Sequence, residues 1–96
     1  MRIIAKPALV RFWSKEPDSK TPLQAWYSIC SKTDFDNFAQ LKQTFRTADK
    51  VGKFVVFDIG GNKYRLIAHV HFNRAKIYIR AVLTHAQYDM GHWKRE

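Results

Sequence analysis

The chain is short, strongly basic and apolar enough to fold. Its 96 residues are 46% hydrophobic and 15% aromatic, and 17 Lys and Arg against 8 Asp and Glu give a net charge of +9. This composition excludes global disorder and favours one domain, residues 1–96, with a polyanionic or acidic partner. No apolar run approaches the roughly 20 residues of a membrane span, and the N-terminal apolar stretch is too short for a secretory signal, so we expect a cytoplasmic protein.

The first half of the chain predicts a short strand and three helical segments. Residues 1–4 suit a strand, and a helix begins near residue 6 and ends at Pro17, because proline fits a first helical turn but interrupts a later one. A second amphipathic helix covers residues 22–30. A third short helix follows, with Asp34 or Asp36 as its cap.

The second half changes from helical periodicity to alternation. Residues 50–53 are predicted as a loop, and three strands follow at residues 53–59, 63–72 and 76–84. A last helical turn over residues 85–90 has Thr84 as its cap and Gly91 as its stop. The order of elements predicts an α+β fold in which N-terminal helices pack on a small antiparallel sheet.

Alternation also assigns the two faces of the last two strands. The apolar faces, expected against the helices, are Tyr64, Leu66, Ala68, Val70 and Phe72 on one strand and Ile77, Ile79, Ala81 and Leu83 on the next. A two-residue turn at Asn73-Arg74 pairs Ile67 with Arg80 and His69 with Tyr78. A turn at Gly60-Gly61 opposes Asp58 to Lys63. The opposite, polar face then presents Lys63, Arg65, His69, His71, Tyr78 and Arg80 together.

Two mid-strand arginines on one exposed face suggest chemistry on phosphate. Arginine pairs bidentately with phosphate and keeps its charge, so Arg65 and Arg80 together are suited to a phosphoryl transition state. Histidine and tyrosine side chains nearby can transfer protons. RNA carries its own nucleophile, the 2′-hydroxyl, which DNA lacks, so a site of this kind favours RNA cleavage. The alternative is a polar face that is merely solvated.

The remaining residues of chemical interest are expected to have mainly structural roles. His69 and His71 alternate on one strand face, but no Cys or carboxylate at ligand spacing joins them, so we expect no metal and no cofactor. Cys30 lies on the apolar stripe of the second helix, as the only cysteine, and is expected to be inert; Trp13 and Trp26 are expected in the core. Trp93, in a basic tail, is equally suited to stack on a base or to dock against a partner.

Two segments resemble a known family. F-D-I-G-G-N-K-Y-R-L (residues 57–66) and Y-I-R-A-V-L-T-H-A-Q-Y-D (residues 78–89) are similar to the HigB family of type II toxins, which are mRNA interferases related in fold to RelE. The resemblance covers residues 50–93. It implies a RelE-like microdomain that cleaves mRNA, commonly on the translating ribosome, by attack of the 2′-oxygen without a metal. It also implies a HigA-like helix-turn-helix antitoxin.

The resemblance also implies roles for individual residues. The strand arginines, Arg65 and Arg80, match residues that bind the scissile phosphate, and His85 and Tyr88 match the C-terminal motif that serves in proton transfer. Lys63 assists electrostatically. Further RNA contacts are expected from Asn62, His71 and Lys53.

Two other functions fit the same basic face. A non-catalytic RNA- or ribosome-binding module would use the same cations and aromatic rings, with binding that weakens steeply as salt rises. A protein-interaction subunit would place the positive face against an acidic partner.

Overall fold

The computed structural model describes residues 1–94, in which a layer of helices covers one face of a five-stranded sheet. The strands are Arg2–Ile4 (β1), Asp49–Val51 (β2), Phe54–Ile59 (β3), Tyr64–His71 (β4) and Lys76–Thr84 (β5). The helices are Pro7–Lys15 (α1), Lys20–Lys32 (α2), Phe38–Thr44 (α3) and His85–Met90 (α4), with 3-10 turns at Pro17–Ser19, Phe72–Arg74 and His92–Lys94. The predicted α+β class is therefore confirmed.

The sheet is mixed, whereas the sequence predicted an antiparallel one. The strand order is β1-β5-β4-β3-β2, and β1 runs parallel to β5 while every other pair is antiparallel. The predicted loop at residues 50–53 was wrong in its first half, because β2 extends to Val51. Gly52, at φ 60°, then turns the chain into β3. Three residues are too few to show alternation in a sequence.

The helices bury their apolar stripes against the inner face of the sheet. The largest fully buried core residues of these layers are Leu9, Leu23, Trp26, Cys30 and Leu41 from the helices and Phe57, Leu66 and Ile77 from the strands. The rings of Trp26 and Phe57 meet edge to face at 5.4 Å. Trp13 is half-buried against the same core, so the core positions expected for both tryptophans are confirmed.

The cap of α3 is Asn37, and the predicted caps Asp34 and Asp36 were wrong. The Asn37 side chain accepts a hydrogen bond from the backbone N–H of Gln40 at 2.9 Å. The carboxylate of Asp34 instead forms an ion pair with the N-terminal ammonium group of Met1 at 2.9 Å. A neutral amide caps an N-terminus as well as a carboxylate does, and the sequence analysis considered only the two carboxylates.

The turn between β3 and β4 is longer than predicted. Strand pairing ends with Ile59 opposite Tyr64, so four residues, 60–63, connect the strands, and Gly60 and Gly61 both take positive φ. Asp58 therefore lies opposite Arg65, where the sequence predicted Lys63. The two registers differ by two residues, which preserves the faces of the strand and changes only the partner of Asp58.

A β-bulge interrupts the pairing of β4 with β5. The predicted pair His69–Tyr78 is confirmed, but the register then shifts, so that Ile67 lies opposite Ala81 and not opposite Arg80. Arg80 is the additional residue between two paired positions. Beyond the bulge the faces of β5 exchange, since one inserted residue reverses the alternation. Val82 consequently packs towards the helices, and the prediction that Ala81 and Leu83 do so was wrong.

Among residues 1–94, no helix is long and apolar enough to cross a bilayer.

Cys30 is fully buried in α2, and burial raises the pKa of its thiol to about 12. The thiolate is the reactive form of cysteine, so the folded protein keeps this side chain unreactive, as the sequence predicted.

We expect iodoacetamide at mildly alkaline pH to label Cys30 only when the protein is unfolded. The folded chain shields the sulfur and suppresses its ionisation, whereas the unfolded chain has an ordinary thiol pKa. Mass spectrometry of samples labelled with and without urea measures the difference. Rapid labelling of the native protein would contradict the buried position of Cys30.

Candidate active site

The C-terminal segment covers part of the outer face of the sheet, opposite the helical layer α1–α3. A capping box at Thr84 and Gln87 begins α4, and Gly91, at φ 76°, ends it and returns the chain to the sheet. Trp93 then packs on Phe54, Val56 and Ile67, and its indole Nε1–H donates to the carbonyl of Tyr88 at 3.0 Å. These residues form a second apolar cluster on the outer face.

Trp93 is only 6% exposed. Neither surface role that the sequence suggested for it, base stacking or docking to a partner, fits a side chain at the centre of this cluster. The error came from treating residues 92–96 as a tail, because five residues contain too little pattern to predict a return to the sheet. Arg95 and Glu96 lie outside the described residues.

Arg65 lies beneath this cover and is engaged in contacts within the protein. Its Nε donates to Asp58 at 3.1 Å, and its other nitrogens donate to the backbone carbonyls of Asn62 and Tyr64 and to the Asn62 side chain. Its side chain is 10% exposed. The expectation that Arg65 projects from the sheet was therefore wrong, because the four-residue turn brings Asp58 and Asn62 to its guanidinium.

Tyr88 contacts both the buried cation and the buried indole. Its ring stacks on Trp93 at 5.1 Å and 13°, and the guanidinium of Arg65 lies 5.4 Å from its centre. Burial raises the pKa of the Tyr88 phenol above its ordinary value, and the negative charge of Asp49 raises it further. The hydroxyl therefore stays protonated at neutral pH, which suits a proton donor better than a base.

Arg80 lines an open cleft of about 420 Å³ between β5 and the C-terminal segment. The other residues that line it are Ala81, Leu83, Gln87, Met90, His92 and Trp93. Arg80 lies on the same side of the sheet as Arg65, as alternation along the strands predicted, so the prediction that the two arginines share a face holds. They differ in accessibility, because Arg80 is exposed and Arg65 is buried.

His92 shares this cleft with Arg80, and the sequence analysis did not identify it. It is exposed and belongs to the 3-10 turn that follows Gly91. The combination of a cation and an imidazole at one cleft can bind a phosphate group and accept a proton from a hydroxyl group beside that phosphate. The signal available in the sequence was the glycine stop at Gly91, which implies that the chain turns back at His92.

His85 lies on a different side of α4. Its Nδ1 pairs with Asp89 at 2.9 Å, one helical turn later. At about 100° per residue, His85 is roughly 160° around the axis from Gln87, which lines the Arg80 cleft. His85 and Arg80 are thus separated by the helix, and the sequence analysis missed Asp89 as the partner that orients the imidazole.

Comparison with known proteins identifies the family. A family model described as a RelE-like toxic component of a toxin–antitoxin system matches residues 19–91. The chain belongs to the HigB toxin family. The match extends well beyond residues 50–93, where the recognisable motifs lie, and includes α2 and α3.

Curated relatives agree with this assignment. The chain is 38% identical over 92 residues to the mRNA interferase toxin HigB of Escherichia coli K12, covering 93% of this chain and 88% of that protein. An mRNA interferase HigB of Shigella flexneri matches with the same identity and coverage. An mRNA interferase HigB of Escherichia coli O6:H1 is 29% identical over 92 residues, with 93% and 89% coverage.

The remaining predicted site residues of this HigB-family chain are dispersed. Lys63 is exposed and 3.9 Å from Asp18, which is a weak surface contact. Asn62 accepts from Arg65 and so has a structural partner. Lys53 lies 5.5 Å from the centre of the Phe54 ring and lines a second shallow cleft beside Trp93. His71 contacts the rings of His69 and Tyr78. Within residues 1–94, no group of three or more metal-ligating side chains is present.

We expect Arg65→Ala in this HigB-family protein to lower the free energy of unfolding by about 2 kcal/mol, because it leaves Asp58 and Asn62 without their cation. Arg65→Lys should recover little of the loss, since an ammonium group cannot reproduce the fork of the guanidinium. Urea denaturation followed by fluorescence measures both. Arg80→Ala is the matched control and should change stability much less; wild-type stability in Arg65→Ala would show that the buried contacts contribute nothing.

Proposed function

We propose that this chain is the toxin of a toxin–antitoxin system and an endoribonuclease that cleaves mRNA. One observation carries the proposal: Arg80 and His92 line a single open cleft on the outer face of the sheet. Membership of the HigB family supports it, together with the names of the curated relatives, which are mRNA interferases. The net charge of +9 favours a polyanionic substrate.

In the proposed reaction the RNA supplies the nucleophile. The 2′-oxygen attacks the adjacent phosphorus, the bond from phosphorus to the 5′-oxygen breaks, and the products are a 2′,3′-cyclic phosphate and a 5′-hydroxyl end. Arg80 binds the phosphate and stabilises the negative charge that develops on it. His92 in its neutral form accepts the proton of the 2′-hydroxyl. Arg80 and the 2′-hydroxyl supply the charge and the nucleophile that a metal would otherwise provide, so we propose a metal-independent reaction.

The leaving 5′-oxygen requires a proton, and Tyr88 is our candidate donor. Its raised pKa keeps the hydroxyl in the acid form, and the neighbouring Arg65 fixes the position of the ring. His85, oriented by Asp89, is the other candidate. Arg65 then acts as a positioning residue for Tyr88 and not as a second phosphate ligand, which revises the two-arginine arrangement inferred from the sequence.

We further propose that cleavage occurs on the translating ribosome in the cytoplasm and that a HigA-like helix-turn-helix antitoxin neutralises the protein. The family description supports an antitoxin in general terms. The basic outer face supports contact with ribosomal RNA as well as with the message. Lys53 lines a second cleft beside Trp93, which supports a role for it in extending this contact.

We expect the purified protein to cut mRNA on programmed ribosomes and to leave 2′,3′-cyclic phosphate ends. Arg80→Ala should reduce the rate by about 100-fold or more, because it removes the cation that stabilises the transition state. Arg46→Ala removes the same charge from the segment between α3 and β2 and serves as the matched control. Binding to programmed ribosomes without cleavage by the wild-type protein would instead identify a non-catalytic RNA-binding module.

Substitutions at the three candidate proton carriers should differ in their effect on the cleavage rate. His92→Ala is expected to slow cleavage by about 100-fold, because the base has been lost. Tyr88→Phe should also slow cleavage, because the proton donor has been lost. His85→Ala should have the smaller effect, since α4 separates it from Arg80. A larger loss for His85→Ala than for His92→Ala would reverse the assignment of the base.

A further inference from the structure

A chain of aromatic rings lies on the outer face beyond the region that Trp93 covers. The rings of His69 and His71 are 4.2 Å apart and tilted by 45°, and the ring of Tyr78 meets His71 edge to face at 5.0 Å. Phe54 contacts His69 from the side of β3 at 6.4 Å. His69, His71 and Tyr78 are half-buried, so each presents part of its ring at the surface. We call these three the ring cluster.

The ring cluster lies immediately beside Arg80. Tyr78 precedes Arg80 by two residues on β5, a spacing of about 6 Å along a strand. His69 lies opposite Tyr78, and alternation along β5 directs Arg80 to the same face as Tyr78. A polynucleotide with one phosphate at Arg80 therefore has a neighbouring nucleotide within reach of the rings.

The cations nearest the ring cluster and the carboxylates nearest Tyr88 lie at opposite ends of the outer face. Lys76 lies opposite His71, and Arg2 lies opposite Lys76 on the parallel strand β1, so both cations share the face of the ring cluster. Strands β1, β4 and β5 contain no Asp or Glu. The carboxylates near Tyr88 are Asp49, Asp58 and Asp89, at the other end. A polyanion that leaves Arg80 is attracted towards Lys76 and Arg2.

We propose that the ring cluster is a binding site for an unpaired base of single-stranded RNA, next to the phosphate held at Arg80, with Lys76 and Arg2 along the path of the backbone. The proposal rests on the proposed function and specifies how that site holds its substrate. Stacking on aromatic side chains is the general mode by which unpaired bases are bound, and cations beside the rings serve the phosphates that accompany each base. A protein partner would require no such alternation of rings and cations.

Binding of a non-cleavable probe tests the site. The probe is a short fluorescent RNA with a 2′-O-methyl group on every sugar, which cannot undergo attack by the 2′-oxygen. Tyr78→Ala and His71→Ala should each weaken its binding by about tenfold, as measured by fluorescence anisotropy. Tyr78→Phe and His71→Phe keep a ring at each position and should recover most of the loss. Equal losses in the Ala and Phe variants would overturn stacking as the mode of binding.

Probes with one abasic position locate the base. In the wild type, moving the abasic position along the probe should weaken binding at one or two adjacent nucleotides and have little effect elsewhere. In Tyr78→Ala the same positions should no longer matter, because the base has lost its partner. Uniform losses at every position, or an unchanged pattern in Tyr78→Ala, would overturn the proposal.

Tyr27→Ala is the matched control, since Tyr27 is a half-buried tyrosine on α2, outside the strands that carry the outer face. It should bind the probe like the wild type.

Cleavage of natural mRNA by the wild-type protein is measured separately. If the wild type cuts mRNA but Tyr78→Ala binds the probe normally, the base site alone is overturned. If the wild type does not cut mRNA but the variants show the expected binding losses, the proposed enzyme is overturned and the base site stands. Loss of antitoxin binding in Tyr78→Ala with probe binding intact would assign this face to the antitoxin and overturn the proposal.

Discussion

The β-bulge at Arg80 is the constraint on which the outer face depends. Without it, β5 would continue its alternation, and Ala81 and Leu83 would point into the helical core while Val82 faced outward. The extra residue reverses this order, so Leu83 and Ala81 contribute to the cluster under Trp93 and Arg80 emerges at its edge. One inserted residue thus produces the apolar seat for the C-terminal segment beside Arg80, which alternation alone already directs to the outer face.

The buried ion pair of Arg65 with Asp58 has a complementary effect. A guanidinium left free on this face would be the strongest phosphate ligand available, but Asp58, Asn62 and two backbone carbonyls occupy its donors. Its remaining influence is on Tyr88, whose ring it contacts and whose pKa it lowers against the larger effect of burial. Arg65 therefore belongs to the support of the site, and Arg80 belongs to its surface.

Local patterns in the sequence were sufficient for most elements and insufficient for two long-range details. The bounds of β5 and α4, the Thr84 cap and the Gly91 stop were predicted correctly, because each depends on adjacent residues. The bulge and the four-residue turn depend on how two strands meet, which alternation within one strand does not reveal. The candidate site follows the same division: the outward position of Arg80 was predicted from its strand, whereas the position of His92 beside it depends on the return of the chain over the sheet.

The shortness of α4 links the stability of the site to its chemistry. A helix of six residues, His85–Met90, does not form in isolation, so α4 keeps its place through the capping box and through contacts that Tyr88 and Trp93 make with the sheet. The wall of the Arg80 cleft is formed by the same segment. Opening of α4 therefore removes His92 from Arg80 at the same time as it exposes the apolar cluster.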